Sequence, residues 1–259
     1  MGIFKFGYDK PGSGISKDEP RKKGVSLFFE ILLREFINLL KVNLLFCACM
    51  LPSVVLFIIG LFGYIPYYAF ALSLIAALPI GGAICATMFC LTRMLCDDPL
   101  FLWYEFRRKF KENVKQTAIL GIITTGFIYA QTYLWVSVIF YDVKIGLLSA
   151  LLDIASIFVY SMIAPYVFIQ ASYIELTMLQ IVKNSVLIAV ANMRRSIFGA
   201  LSGSVVWVAY IVFLPVSLLF IPLVLLIGFS FSWLLNLMWI WPTVDKQFGI
   251  EEKLRLKRS

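Results

Sequence analysis

The sequence predicts an all-α fold: an integral membrane helical bundle of six transmembrane helices with amphipathic cytoplasmic helices. Three observations lead there. Hydrophobic residues make up 61% of the 259 residues and charged residues only 15%, with a mean hydropathy of +0.90, far from the composition of soluble domains. The apolar residues come in runs long enough to cross a hydrocarbon core of about 30 Å, which takes about 20 helical residues. One choice of spans also places 22 of the 23 Lys and Arg residues on a single side, eight of them within residues 1–41, six between spans two and three, three between spans four and five, and five at the C-terminus. Only Lys144 lies opposite. Basic residues in short loops are held in the cytoplasm during insertion, so both termini are expected there.

The same composition excludes much else. Six spans occupy about half of the chain, which leaves no room for a separate soluble catalytic domain. Histidine is absent, which removes the commonest general base, metal ligand and proton shuttle near neutral pH. There is no Gly-rich phosphate loop, no GxSxG and no carboxylate pair at catalytic spacing. The expectation is therefore no enzyme, with no catalytic, cofactor-binding or metal-binding residues. The five cysteines, Cys47, Cys49, Cys85, Cys90 and Cys96, follow no metal or disulfide spacing and read as small apolar residues. A net charge of +8 borders the spans and suits anionic lipid headgroups, so the expected partner is the bilayer and not nucleic acid. The first 24 residues lack the apolar region of a signal peptide. Phe6 stands where a myristoylation signal requires Ser or Thr.

Along the chain, residues 1–24 read as a polar cytoplasmic arm, with a turn at Pro11–Gly14. Glu30, Arg34, Asn38 and Lys41 then form one polar stripe beside Phe28, Ile31, Leu32, Leu39 and Leu40, the pattern of an interfacial helix over 25–41. Span one follows over 42–62, kinked at Pro52. After an outer turn with the belt residues Tyr64, Tyr67 and Tyr68, span two covers 67–95, long enough to tilt or to bend near Pro79-Ile80-Gly81-Gly82. Asp98-Pro99 reads as a helix start, the carboxylate capping free N–H groups. The cytoplasmic helix it opens, about 98–115, has Trp103, Phe106, Phe110 and Val114 on one face and Arg107, Arg108, Lys111 and Lys115 on another. Such a helix can lie on lipid, pack beneath the bundle, or receive a partner. Span three runs over 117–140 and span four over 147–174. A second cytoplasmic helix is expected at about 175–185, and spans five and six divide 197–241 at Pro215 and Pro222. Residues 242–259 form a basic cytoplasmic tail, which closes a membrane domain of residues 25–241. A four-residue echo, Phe110–Asn113 against Ile181–Asn184, is compatible with a parallel repeat or with convergence on the same interfacial chemistry.

Three intramembrane polar residues, Asp153, Arg93 and Gln131, stand out as candidate functional residues. Asp153 is the sole acid inside a span, about 9 Å from its outer end at 1.5 Å per residue; a carboxylate there is either a functional group or held at a hydrated edge. Arg93, near the inner end of span two, is placed to snorkel to the headgroups. Gln131, with Asn43 and Asn236, suits hydrogen bonding between helices. Gly199 and Gly203 form a GxxxG that lets another helix approach.

Several stretches are familiar as a set. Ala77-Leu78-Pro79-Ile80-Gly81-Gly82-Ala83, Thr92-Arg93, Asp97-Asp98-Pro99, Lys111–Gln116, Ala164-Pro165-Tyr166 and Lys183-Asn184-Ser185 resemble the YesL-type family of bacterial polytopic membrane proteins, a domain of unknown function. Pro11–Pro20, Phe28-Phe29-Glu30 and Asn43 through Pro52 resemble the N-terminal region of its clostridial-type members. The 52–79 stretch is longer than in compact members. The resemblance implies a small multi-pass protein of the bacterial plasma membrane, found near carbohydrate importers of the ATP-binding-cassette (ABC) type. The expected function is then an accessory subunit that binds or regulates the permease and ATPase. Its partner-contact residues are Trp103, Phe106, Phe110, Arg107, Arg108 and Lys111. The alternative is an independent transporter or channel for a sugar or small metabolite, lined around Asp153 and Gln131.

Overall fold

The computed structural model describes residues 25–63, 66–212 and 224–252. Among these residues every regular element is helical: α1 (Val25–Phe62), α2 (Pro66–Ala76), α3 (Ile80–Leu95), α4 (Leu102–Phe140), α5 (Leu147–Tyr173), α6 (Met178–Ala191), α7 (Met193–Val212), a π turn (Val224–Gly228) and α8 (Phe229–Phe248). Four helices are long and apolar enough to cross a membrane, and five spans result if the bent pair α2–α3 counts as one. The expected division into spans five and six rests on Pro215 and Pro222, which lie outside the described residues, as do the 1–24 arm and the end of the basic tail.

Three predicted boundaries do not interrupt the helices, one of them the start of the expected tail at Pro242, which lies inside α8. Residues 25–41 and span one form the single 38-residue α1, with Pro52 inside it, and the predicted cytoplasmic helix and span three form the single 39-residue α4. Nothing at Lys41-Val42 or Gln116-Thr117 breaks a helix, whereas a break would leave up to four N–H and four C=O groups without helical partners. The four-residue echo therefore falls in unlike settings. Asn113 lies within unbroken α4, while α6 ends at Asn192 before α7 begins.

The region predicted as span two is bent at its Pro79-Gly81-Gly82 run: α2 and α3 meet at 42°. The break sits at Ala77-Leu78-Pro79, and Ile80 N–H returns to Ala77 O. Every residue of α3 except Arg93 is buried. α3 runs antiparallel along the first half of α4, as Arg93–Glu105, Gly82–Val114 and Gly81–Thr117 contacts establish. Their crossing is backbone on backbone. A Cβ on Gly81 would stand 2.0 Å from Thr117 O, and one on Gly121 would stand 2.5 Å from Gly81 N.

The core is concentrated at this end of the bundle. α5 shows the gradient within one helix: Ala164–Ser172 are all buried, whereas none of Leu147–Ile163 is. Buried side chains of α1, α4, α5 and α8 close around α3, and Tyr166, Phe168, Met88, Leu91, Leu237 and Ile240 are among the largest in this core. At the other end α1, α2, α4 and α5 expose Ile58, Phe62, Tyr67, Tyr68, Ile128, Leu148 and Leu151, the surface expected where lipid is the solvent.

Candidate functional site

The charged groups meet where α3 turns into α4. Asp97 takes a left-handed φ of 55°, which Asp tolerates better than most residues, and turns the chain out of α3. The predicted cap at Asp98 is not formed. α4 begins at Leu102 without a side-chain cap, and Asp98 Oδ2 instead meets Arg93 Nε at 2.5 Å. Arg93 Nη1 reaches Glu105 Oε1 at 2.9 Å, and its Nη2 donates to Pro99 O at 2.7 Å. Glu105 is shared with Arg108 at 2.5 Å. Arg93 is therefore no snorkelling residue. Its side chain is 15% exposed and those of Asp98 and Glu105 are 4% and 11% exposed, so the ion group is enclosed by protein. The carboxylates that enclose it lie only five and twelve residues onward, and the elbow folds them back upon it.

A second cation ties α1 to the elbow. Arg34 pairs with Asp97 and donates to Met94 O at 3.1 Å, with Glu30 and Glu35 beside it. On the far side, Trp241 Nε1 donates to Glu251 Oε1 at 3.0 Å, within reach of Cys96 Sγ. Arg195 Nη1 donates to Thr243 Oγ1 at 3.0 Å, and Gln116 Nε2 to Leu176 O at 2.5 Å. All of these links lie at the same end of the bundle.

Of the expected partner-contact residues, Phe106 is buried and Phe110 half-buried against the core, while Trp103 is 65% exposed. The face that α4 turns to α3 is rotated from its apolar face toward Leu102, Glu105 and Asn113, all buried. The surface left open carries Phe101, Trp103 and Tyr104 beside Arg107, Arg108 and Lys111. Sequence reasoning missed Phe101 and Tyr104. Their place next to the basic run was the available signal.

Asp153 and Gln131 come together on the α4–α5 seam, far from Arg93. Trp135 Nε1 donates to Asp153 Oδ2 at 2.9 Å. Gln131 Nε2 donates to Ser156 Oγ at 3.0 Å, and Ser156 Oγ donates to Asp153 O at 2.7 Å. Glu105 and Gln131 lie 26 residues apart on α4, about 39 Å at 1.5 Å per residue. Arg93 and Asp153 thus belong to two different places. Asn43 and Asn236 also bond across helices: Asn43 Oδ1 accepts Ser230 N–H just after the π turn at 2.8 Å, and Asn236 Nδ2 reaches Ser161 O at 3.4 Å. Gly199 and Gly203 are where α7 lies against Asn236 and its neighbours on α8.

No group of three or more His, Cys, Asp or Glu residues able to hold a metal occurs among the described residues. Comparison with known proteins gives no match to a family model, to a curated protein or to a solved structure.

Proposed function

We propose that this chain is an accessory integral membrane subunit that acts by contact, and that its partner is a carbohydrate importer of the ABC type in a bacterial plasma membrane, the association implied by the YesL-type resemblance. The observation that carries the contact role is the open aromatic and basic surface of Phe101, Trp103, Tyr104, Arg107, Arg108 and Lys111. It projects from an elbow that enclosed ion pairs hold in place. Aromatic and Arg side chains are the groups enriched at protein interfaces.

The placement of lipid supports the same reading. Residues 102–116 carry Glu105, Arg107, Arg108, Lys109, Lys111, Glu112 and Lys115, a charge density that hydrocarbon does not accept. Because α3 lies alongside this segment, α3 stands with it on the basic side of the bilayer. The membrane boundary then falls near the Gly81–Gly121 crossing. In this arrangement α3 and the first parts of α1 and α4 form a packed layer beneath the spans, with both termini cytoplasmic. The docking surface is on that layer, where an importer's ATPase sits.

The test is affinity purification from native membranes in mild detergent, followed by mass spectrometry. The expected result is co-purification of a carbohydrate permease or its ATPase, lost in a Trp103→Ala, Arg107→Glu, Lys111→Glu variant that still inserts and melts normally. Recovery of the wild type without any importer subunit refutes the reading. A transporter remains the second reading, favoured by the Asp153–Trp135 pair at depth in α4 and α5. It requires solute flux in liposomes that Asp153→Ala abolishes.

A further inference from the structure

Between α4 and α5 the packing opens into a groove of about 630 Å³. Leu120 and Ile123 wall it on α4, Val182 closes one end on α6, and a face of α5 from Leu152 to Phe168 lines its length. Its three hydroxyls are already engaged. Tyr160 OH donates to Thr124 Oγ1 at 3.0 Å, and Ser156 Oγ donates to Asp153 O at 2.7 Å. An occupant therefore meets hydrocarbon along the groove and finds few polar groups to bond.

Length and charge define that occupant. Leu152 and Phe168 are 16 residues apart on one helix, about 24 Å at 1.5 Å per residue. The hydrocarbon of one leaflet is about 15 Å deep, so the groove takes an acyl chain drawn out past the bilayer midplane toward Leu152. The two ends differ in sign. At the Val182 end, exposed Lys183 follows Val182 and exposed Lys115 precedes Gln116, whose side chain bridges to Leu176 O, with Glu175 as the acidic neighbour. At the Leu152 end stands Asp153. A negative headgroup is favoured at the first end and opposed at the second.

We propose that the groove is a binding site for one acyl chain of an anionic phospholipid, drawn from the basic-side leaflet, with the headgroup against Lys115 and Lys183. The site rests on lipid being the solvent of α4 and α5 and is independent of any importer. A bound lipid would fill the space between two helices that otherwise touch mainly through the Gln131, Trp135 and Tyr160 bonds.

The test uses the full-length protein in phosphatidylcholine nanodiscs containing a small fraction of phosphatidylglycerol with a photoactivatable group on its acyl chain. Crosslinks are mapped by mass spectrometry. The expected result is crosslinking about ten-fold stronger at Ala155, Val159 and Ala164 than at the outward-facing Leu151 and Leu201, a ratio equivalent to about 1.4 kcal/mol of preference. Unlabelled phosphatidylglycerol should compete and phosphatidylcholine should not. Ala155→Trp, which fills the groove, should remove the excess with the melting temperature unchanged; Lys115→Glu with Lys183→Glu should remove the headgroup preference alone. Equal crosslinking inside and outside the groove of the wild type, or equal competition by both lipids, overturns the proposal whether or not the variants fold.

Discussion

Arg93 shows how far a single side chain departs from its sequence reading once the chain folds. An arginine near the end of an apolar run ordinarily extends to water, and both nearby carboxylates had a local use on paper: Asp98 as a cap, Glu105 as one polar residue of an amphipathic helix. The elbow brings both onto the guanidinium. Removing Arg93 takes its guanidinium from two buried carboxylates, of which Glu105 keeps Arg108; breaking an enclosed ion pair costs about 3–5 kcal/mol. Arg93→Met is accordingly expected to lower the melting temperature sharply in detergent, while Arg34→Met, whose side chain is 36% exposed, costs at most about 1 kcal/mol. Equal effects would show that the Arg93 group is solvated. Asn43 behaves closer to expectation. It was placed to bond between helices, and it accepts the Ser230 N–H beside the π turn; Asn43→Ala leaves that donor unpaired and should cost about 1–3 kcal/mol, read as lost thermal stability with Asn43→Asp as the partial rescue.

At the scale of elements, periodicity located the helices well and their joints less well. The polar stripe from Glu30 to Lys41, the apolar run that follows and the Pro79-Gly81-Gly82 bend were all visible in the residues. Fusion into α1 and α4 was less so, because periodicity registers a change of solvent and a helix does not end at such a change. The capping box of α6, Thr177 with Gln180, was legible and would have moved that helix start to Met178. What the sequence could not supply was the partner of each face: α4 turns Glu105 and Asn113 inward because α3 lies there, and α3 lies there because Gly81 and Gly121 allow it. Gly121→Ala should therefore disrupt the α3–α4 crossing, costing about 1–3 kcal/mol through overpacking. The same change at Gly146, where a Cβ meets only Ser149 Oγ at 4.0 Å, should leave the melting temperature within a degree or two.

For the whole molecule, the distribution of Lys and Arg predicted a sided protein, and the ion pairs, the elbow and the buried core do gather at one end. Sidedness is directly measurable. With native cysteines replaced, Lys111→Cys should react with a membrane-impermeant maleimide in inside-out vesicles and not in intact cells, and Tyr68→Cys should do the reverse. Labelling of Lys111→Cys from outside intact cells would invert the topology and remove the docking surface from the ATPase side.

The complete enclosure of α3 also constrains how the chain is made. A helix buried along its whole length except at Arg93 has no finished surroundings until its neighbours are made, and these include α5 and α8, which leave the ribosome long after it. Until α8 emerges, α3 has an unfinished housing, so nascent chains halted before Phe229 should be the substrates of membrane quality control.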